Sequence, residues 1–486
     1  MNATTHDEQR LIVVSNRLPF VFRETNGRWT AEPGAGGLVT AMVPVLEQRG
    51  GLWIGWPGTT ESEAEQLRTE IPEATRDANY TVVPVPLSEQ EKTGFYEGFS
   101  NEVLWPLFHD LQTRCVFEPE YWQIYQRVNR KYAEIVAEHA EPGDFIWVHD
   151  YQLMCLGREL RDLGVENRIG FFLHTPFAAA EIYHKLPWRS ELLQAMLAYD
   201  VVGFQTIRDR RNFEACLYDL LDEVAVEEED RSRVKAATPA DGDHDVKLGV
   251  FPISIDAAHF EQLAKTRDVE AKMDGLRREY PDRTLILGAD RLDYTKGIPE
   301  RLRAFREALE RRPELRGNVS LIQIAVPSRG GISEYRELRA EIARLVSEIN
   351  GQYTRAGWVP IHYLFRQLDR GDLIATYRAS DVALVTSLKD GMNLISKEYC
   401  TSRVNDDGVL ILSEFAGSAS QLQHDALSVN PYDRVGTAEA IYEACHMSWD
   451  EQNHRMKRLR SIIRRHDIHW WVEAFLRAAR DDPRKS

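Results

Sequence analysis

The sequence has few cysteines and no long apolar run, and each shortage excludes a class of protein. Its 486 residues include five cysteines, which lie far apart and form no C-x-x-C pair. Neither a disulfide scaffold nor a cysteine-ligated zinc site is therefore indicated. No uninterrupted apolar segment approaches the roughly 20 residues that a membrane-spanning helix needs, so we predict no association with a membrane.

The amino-terminal region also lacks the pattern of an export signal. Residues 1–16 read MNATTHDEQRLIVVSN, in which polar and acidic residues precede a short apolar run. A signal peptide instead has basic residues followed by a longer apolar stretch. We therefore expect a cytoplasmic protein with reduced thiols.

Positive charge is in deficit. There are 60 lysines and arginines against 76 aspartates and glutamates, which gives a formal net charge of −16. Bulk electrostatics therefore disfavour binding to nucleic acid or to an anionic membrane. An anionic ligand would need a local basic pocket in this chain.

The order of the apolar patterns predicts an α/β protein with two doubly wound, Rossmann-like domains. The length suggests two domains of roughly 200 residues each. Short β-branched runs alternate with amphipathic helical stretches such as Ile298–Leu309, which is typical of parallel sheets covered by helices. The predicted strands are Leu11–Ser15, Phe145–Val148, Ile169–Leu173, Val201–Gln205, Thr284–Ala289, Val319–Val326, Ile361–Phe365, Val382–Ser387, Val409–Ser413 and Ala426–Asn430.

We place the first domain at residues 1–246 and the second at 247–465, followed by a carboxyl-terminal helix and tail at 466–486. The segment Asp222–His244 is rich in acidic residues and has no sustained periodicity, so it is predicted to be a loop or linker. The terminal helix carries an apolar face that we expect to pack back on the first domain. The residues of this face are Trp470, Trp471, Phe475 and Leu476.

Two doubly wound domains are expected to face each other across a cleft lined by the carboxyl ends of their strands, where such sheets bind ligands. Arg17 comes just after the first predicted strand. Further along the chain, Gly36 and Gly37 stand at the start of a predicted helix. Glycines at a helix start let a phosphate approach backbone N–H groups, and an arginine can grip a second phosphate. The alternative is a plain turn with a solvated arginine.

The motif DRLDYTKG follows the strand Thr284–Ala289. Its two cations, Arg291 and Lys296, lie five positions apart and could both neutralise a diphosphate leaving group. The alternative is an ion pair of a cation with Asp290 or Asp293. The place of the loop at a strand end favours the functional interpretation.

The motif DGMNLISKE follows the strand Val382–Ser387 and leads into a helix. Amides at that helix start could hold phosphate, and Glu398 could accept hydrogen bonds from two ribose hydroxyls. In the alternative, Asp390 or Asn393 only caps the helix and Glu398 only complements its dipole.

Polar groups end two strands of the first half, in the motifs HDY and HTP. Asp150 and His174 at these positions suit recognition of sugar hydroxyls, although a single histidine at a strand end more often has a structural role. Aromatic residues add surface that could stack on a sugar or fill the core. These are Trp53, Trp56, Tyr96 and Trp105.

Ten blocks of sequence together resemble the trehalose-6-phosphate synthase family. In chain order they are SNRLP, GGLWIGWPG, FYEGFSNEVLWP, VHDYQLM, FLHTPF, DVVGFQT, DRLDYTKGI, VPSR, DGMNLISKEY and LSEFAGSA. The resemblance implies the two-domain GT-B fold and transfer of glucose from a nucleotide sugar with retention of configuration. It implies that neither a metal nor any other cofactor is needed.

The resemblance also implies a role for each matching residue. The acceptor's phosphate and sugar would meet Arg17, Trp56, Tyr96, Trp105, Asp150 and Arg329. The nucleotide sugar would be bound by Gly36, Gly37, His174, Arg291, Lys296, Asp390, Gly391, Met392, Asn393, Leu394, Ile395 and Glu398. The groups nearest the reaction would be Asp150, His174, Arg291, Lys296 and Asp390.

The expected product is trehalose 6-phosphate, made from glucose 6-phosphate and UDP-, GDP- or ADP-glucose. The base of the donor and the state of oligomerisation, including a homo-oligomer, are left open by the sequence. Alternatives are a synthase of the same fold with a glycerol phosphate or validoxylamine-type acceptor, and a non-catalytic regulatory homologue. The regulatory alternative predicts loss of Arg291, Lys296 or Glu398, and all three are present.

Overall fold

The computed structural model describes residues 9–25, 28–34, 37–64, 67, 76, 78–221, 224–226, 233–238, 242–327 and 333–480. The chain forms two compact units. The first comprises Met1–Phe251 and Trp471–Ser486, and the second comprises Pro252–Trp470. The predicted boundary at residues 246 and 247 falls inside a strand of the first unit.

The first unit contains a nine-stranded sheet, seven strands of which are parallel. Apolar runs buried on both faces form its centre, as parallel sheets covered by helices require. In spatial order the strands are β5 (Thr81–Pro84), β4 (Leu52–Trp56), β1 (Leu11–Arg17), β6 (Phe145–His149), β7 (Arg168–Phe172), β8 (Val201–Phe204), β11 (Gly242–Val250), β10 (Arg233–Thr238) and β9 (Val224–Val226). A separate hairpin pairs β2 (Phe20–Thr25) with β3 (Arg28–Pro33).

The acidic segment 222–244 is not simply the loop or linker that the sequence predicts. It contributes β9 and β10 and the beginning of β11, and these three strands pair in antiparallel fashion. Strand β11 in turn pairs in parallel with β8. Backbone pairing at the edge of the sheet therefore forms strands in the described parts of this segment, although its sequence lacks the alternation of a half-buried strand.

Helices cover the first sheet. Their bounds are Gly37–Arg49, Glu61–Ala64, Glu89–Glu91, Trp105–Phe108, Pro119–His139, Leu156–Asp162, Ala180–Tyr183, Arg189–Met196 and Ile207–Leu220, with short 3-10 turns at Gln112–Arg114 and Tyr151–Leu153. Lys92–Leu104 forms a π-helix, which is rare at this length and is found mostly near functional sites. The sequence pattern does not predict it.

The second unit has a six-stranded sheet that is parallel throughout. In spatial order its strands are β14 (Ile361–Leu364), β13 (Val319–Val326), β12 (Thr284–Arg291), β15 (Val382–Val385), β16 (Val409–Ser413) and β17 (Leu427–Val429). Numbered within the unit this is the order 3-2-1-4-5-6, whose direction of winding reverses between β12 and β15. All six strands were predicted to within two residues at each end.

The helices of the second unit follow the predicted alternation. Their bounds are Ala257–Ala264, Arg267–Glu279, Ile298–Arg311, Ser333–Tyr353, Arg370–Ala379, Leu394–Ser402, Ala419–Leu422, Arg434–His446 and Trp449–Arg465, with 3-10 turns at Tyr294–Lys296 and Pro313–Leu315. The predicted apolar face of Ile298–Arg311 is confirmed, because Ile298, Leu302, Phe305 and Leu309 are fully buried.

The last helix, Ile468–Arg480, returns the chain to the first unit, as predicted. The ring of Phe475 stacks on Trp147 with centroids 4.4 Å apart. Gly170 and Gly203 make room for it, since a Cβ on either would lie 2.7 Å from the Phe475 ring. No helix in the described ranges has both the length and the apolar character required to cross a lipid bilayer.

Candidate active site

Arg17 lies at the carboxyl end of β1 with its guanidinium against two aromatic rings. The guanidinium carbon is 4.4 Å from the centroid of Trp56 and 5.9 Å from that of Tyr96. Gly58, at φ 94°, leaves the space for it, because a Cβ there would be 1.9 Å from an Arg17 nitrogen. Among the described residues Arg17 has no ion-pair partner. An exposed cation beside aromatic rings suits an anionic sugar.

Asp150 follows β6 in a strained backbone conformation. Its φ of 76° and ψ of 168° lie in a region that is almost restricted to glycine and costs a residue with a side chain about 1–3 kcal/mol. The backbone N–H donates to the carbonyl of Phe172 at 2.8 Å, and the carboxylate Oδ1 accepts from the N–H of His174 at 3.2 Å. The predicted carboxylate and the predicted histidine are thus neighbours at the ends of β6 and β7.

The histidine that precedes Asp150 contacts the same partner. Nδ1 of His149 lies 3.2 Å from Nε2 of His174. Burial lowers the pKa of His149 well below its usual value, with a smaller contribution from His174, and burial lowers the pKa of His174 to about 3. Both imidazoles are therefore neutral at pH 7, and one must donate to the other.

The remaining predicted residues of the first unit are placed as follows. Trp105 begins the helix Trp105–Phe108, is buried, and packs against His109 and Tyr151 with centroids 4.2 and 5.7 Å away. Gly37 is the exposed first residue of Gly37–Arg49. Trp53, considered as a stacking surface, is core, and its indole N–H donates to Ser15 Oγ at 2.8 Å. Gly36 and Arg329 lie outside the described residues.

In the second unit, two predicted cations lie at the point where the winding of the sheet reverses. Arg291 ends β12 with an exposed side chain that has no ion-pair partner in the described part of the chain. Nζ of Lys296 lies 2.6 Å from Oδ2 of Asp390, and both side chains are 11% exposed. The alternative partners Asp290 and Asp293 do not hold Lys296: Asp293 instead accepts from the N–H of Thr295 at 3.0 Å.

A buried arginine, missed at the sequence level, supports the DRLDYTKG loop. Arg301, 1% exposed, lies 2.7 Å from Oδ2 of Asp290. Its guanidinium also donates to Thr386 Oγ1 and Gln323 Oε1, each at 3.1 Å. Burial raises the pKa of Asp290, an effect that Arg301 opposes. The signal was present, because Arg301 falls on the apolar face of its helix between Ile298 and Leu302.

The DGMN loop is held in place by hydrogen bonds on both sides. Asn393, at φ 71°, caps the helix Leu394–Ser402 by accepting from the N–H of Ser396 at 3.1 Å. Its amide also donates to Asp390 Oδ2 at 3.2 Å, so the capping alternative and a link to the charged pair both hold. The carbonyl of buried Met392 accepts from the N–H of Ser418 at 2.7 Å.

The start of this helix leaves donors available. The N–H groups of Leu394 and Ile395 belong to its first turn and have no carbonyl partner within the helix. Gly417 permits its loop to approach Gly391 closely, since a Cβ on Gly417 would lie 1.8 Å from the carbonyl oxygen of Gly391. One turn further on, Glu398 is half-buried, and its Oε2 accepts from the hydroxyl of Tyr377 at 2.7 Å.

Comparison with known proteins shows the family to which the chain belongs. The sequence model of the family described as glycosyltransferase family 20 matches residues 9–481. A trehalose-6-phosphate synthase of Mycolicibacterium gilvum (strain PYR-GCK) is 41% identical over 471 residues, which are 96% of this chain and 93% of that protein. The corresponding synthase of Mycobacterium tuberculosis (strain ATCC 25618 / H37Rv) is 40% identical over 485 residues, or 98% and 96%.

Solved structures agree with the sequences. An E. coli trehalose-6-phosphate structure bound with UDP-2-fluoro glucose has a TM-score of 0.87 at 37% identity, covering 98% of this chain and 99% of that one. A UDP-forming α,α-trehalose-phosphate synthase from Burkholderia xenovorans, in complex with glucose-6-phosphate, has a TM-score of 0.86 at 32% identity, with 97% and 99% covered.

The fold and these similarities define the class of protein: a glycosyltransferase with the GT-B fold. The chain belongs to glycosyltransferase family 20, the family of the trehalose-6-phosphate synthases that its sequence blocks resemble.

Proposed function

We propose that this enzyme transfers glucose from UDP-glucose to glucose 6-phosphate, releasing UDP and forming trehalose 6-phosphate with retention of configuration and without a metal. The observation that carries the proposal is the set of groups that follow the two strands at the winding reversal of the second sheet. Arg291 and Lys296 follow β12, with Lys296 paired to Asp390, and Glu398 lies in the helix Leu394–Ser402 after β15. Uracil is preferred among the three bases because a similar E. coli structure is bound with UDP-2-fluoro glucose.

The donor's diphosphate would be bound by Arg291, Lys296 and the N–H groups of Leu394 and Ile395. Cations and first-turn amides together stabilise phosphate charge. Glu398 has one carboxylate oxygen occupied by Tyr377, which leaves the other to accept from ribose hydroxyls. Gly36 and Gly37 would add backbone donors, and the transferred glucose would meet His174 and the residues Asp390, Gly391, Met392 and Asn393.

The acceptor's phosphate would be bound by Arg17, whose guanidinium is otherwise unpaired among the described residues. Tyr96 lies beside that guanidinium, and Trp56, Trp105 and Arg329 would complete the wall. The sugar hydroxyls would donate to Asp150. The similar Burkholderia structure that contains glucose-6-phosphate supports this class of acceptor.

Retention would follow from a front-face reaction. Carboxylates of the two donor loops are engaged, Asp290 with Arg301 and Asp390 with Lys296, so neither is presented as a free nucleophile. In the proposed step, the bond between glucose C1 and the phosphate oxygen breaks, and C1 bonds the acceptor's anomeric oxygen on the same face. The acceptor hydroxyl's proton passes to the departing phosphate oxygen, whose charge Arg291 and Lys296 balance.

One panel of assays tests the proposal. Purified enzyme is given UDP-, GDP- and ADP-glucose with glucose 6-phosphate, glucose, glycerol 3-phosphate or a phosphorylated amino-cyclitol, and the product's anomeric configuration is read by NMR. We expect the α,α-linked product from UDP-glucose and glucose 6-phosphate, at an unchanged rate after chelation by EDTA. Preference for another acceptor, or absence of transfer, would contradict the assignment.

A further inference from the structure

We propose that His149 is a positioning residue that holds His174 in the tautomer whose proton is on Nδ1, so that His174 donates this N–H to the transferred sugar. The link to the sugar rests on the proposed function. The pairing of the two imidazoles rests on the geometry of the first unit alone.

The first step concerns the surroundings of His149. The residue is 0% exposed, at the end of β6, with its ring 4.9 Å from Trp147 and 6.3 Å from Trp471 between centroids. Its side chain has one polar contact among the described residues, from Nδ1 to Nε2 of His174. The other nitrogen, Nε2, is buried with no hydrogen-bond partner there.

The unpaired Nε2 of His149 determines which of the two imidazoles donates the hydrogen bond. A neutral imidazole carries one proton, so His149 bears it either on Nδ1 or on Nε2. A proton on Nε2 would leave a buried N–H without an acceptor, and such orphaned N–H groups are rarer in proteins than under-satisfied acceptors. The proton therefore lies on Nδ1 of His149 and is donated to Nε2 of His174.

The consequence for His174 follows directly. Its Nε2 is the acceptor, so its own proton must be on Nδ1. This second nitrogen has no partner among the described residues, and the residue keeps partial exposure to solvent. The backbone N–H of His174 is fixed by Asp150, and its ring lies against Phe172 at 4.8 Å and Trp471 at 6.2 Å. The ring is thus held with a donor available for a sugar oxygen.

Histidine spectra of the full-length enzyme test the pairing without reference to catalysis. Long-range ¹H–¹⁵N spectra of ¹⁵N-histidine-labelled protein at pH 7 should place the proton on Nδ1 in both residues, which is the minor form of free neutral imidazole. Loss of each signal in His149→Phe or His174→Phe assigns it. A proton on Nε2 of either residue, or a charged ring, would overturn the proposal.

Two substitutions separate donation from packing. His149→Phe keeps a planar ring but removes the donor, whereas His149→Asn keeps an N–H near the position of Nδ1 in a smaller side chain. If His149 acts by donation, Phe lowers kcat/KM for the nucleotide sugar about tenfold, the size of one lost hydrogen bond, and Asn restores most of it. If the ring of His149 only fills space, His149→Phe keeps a higher kcat/KM than His149→Asn, and the proposal fails.

A double substitution confirms the route through His174. In a His174→Phe background, adding His149→Phe should lower kcat/KM by less than about twofold more, because the two groups act as one unit. Independent, multiplicative losses would contradict the coupling.

An inactive enzyme with both protons on Nδ1 would overturn the proposed function and leave the pairing intact, so the two failures are distinguishable.

Discussion

The ammonium of Lys296 lies 2.6 Å from Oδ2 of Asp390, across two loops that follow neighbouring strands of the second sheet. The same oxygen accepts from Ser387 Oγ and Asn393 Nδ2, each at 3.2 Å. The cation expected at the leaving group is therefore oriented by the loop expected at the transferred sugar. A bound diphosphate would share Lys296 with Asp390 rather than meet a solvated side chain.

Replacing Lys296 should remove catalysis and preserve the fold. Lys296→Ala is expected to lower kcat by about 10²–10³, because one preorganised group at developing charge contributes about 3–4 kcal/mol. Asp390 keeps its bonds to Ser387 and Asn393 in this variant. Steady-state kinetics and circular dichroism check both statements, with the exposed Lys265→Ala as the matched control. Near-normal turnover would contradict the role.

Removing the other member of the pair should lower stability. Asp390→Asn leaves the mostly buried ammonium of Lys296 without its counter-charge, and breaking a buried pair costs about 3 kcal/mol or more in unfolding free energy. The double variant with Lys296→Met should recover part of this loss. Denaturation of the four proteins in a double-mutant cycle gives the coupling, and additive losses would show that the pair does not interact.

Tyr377→Phe should weaken donor binding through Glu398. Burial raises the pKa of Glu398, and the hydrogen bond from Tyr377 opposes that rise. In the proposed function it is the ionised carboxylate that accepts ribose hydroxyls, so donor affinity should fall as the pH drops through a pKa above the usual value. Without Tyr377 the pKa rises further and the fall begins at higher pH.

The measurement is KM for UDP-glucose against pH, in the wild type, in Tyr377→Phe and in the exposed control Tyr218→Phe. A 2′-deoxyribose donor adds a second reading, since the wild type should discriminate against it more strongly than Tyr377→Phe does. Superimposable pH profiles of all three proteins would exclude the proposed coupling.

Arg17→Ala should impair recognition of the acceptor's phosphate. Hydrogen bonds to a charged group contribute about 1.5–3 kcal/mol, so the preference for glucose 6-phosphate over glucose should fall by about 10–100-fold. The exposed Arg127→Ala is the control. Kinetics with both acceptors provide the measurement, and an unchanged preference would assign the phosphate to another residue.

Replacing Asp150 by glycine or by alanine should impair activity equally but affect the free energy of unfolding differently. Asp150→Gly and Asp150→Ala both lose the carboxylate, but only alanine keeps the backbone strain at φ 76°. The glycine variant should therefore be more stable than the alanine variant by about 1–2 kcal/mol, while both lose acceptor binding. Equal unfolding free energies would mean that the position carries no strain.

The strands best predicted from sequence are those buried on both faces. Val319–Val326 and Val409–Ser413 were predicted with their observed bounds, because a short β-branched run between helical patterns is typical of a buried parallel strand. Strand β4, whose sequence is LWIGW, is not among the predicted strands, because its two tryptophans are equally compatible with a surface that stacks on a sugar. Strands β9 and β10 were missed because pairing at a sheet edge leaves little trace in composition.

For the candidate site, the sequence predicts residues within single loop motifs but not the contacts between different loops. Loop motifs predict Arg291, Lys296 and Asn393 as site residues, since each follows a strand at the end where such sheets bind ligands. Pairings between distant positions were not accessible: 94 residues separate Lys296 from Asp390, and 21 separate Tyr377 from Glu398. A single sequence contains no signal for such contacts, whereas an arginine at position 301, on an apolar helix face, does indicate a buried ion pair.

The position of Phe475 over Gly170 and Gly203 has a consequence for biosynthesis. The parallel part of the first sheet is complete once β11 has been made, but the rings that cover it come from residues about 220 positions later. A ribosome therefore translates the whole second unit before the first can finish folding, although domains usually fold as they emerge. Until Phe475 has been synthesised, the surfaces of Gly170, Gly203 and Trp147 that it covers stay exposed in the nascent chain, where chaperones can bind them.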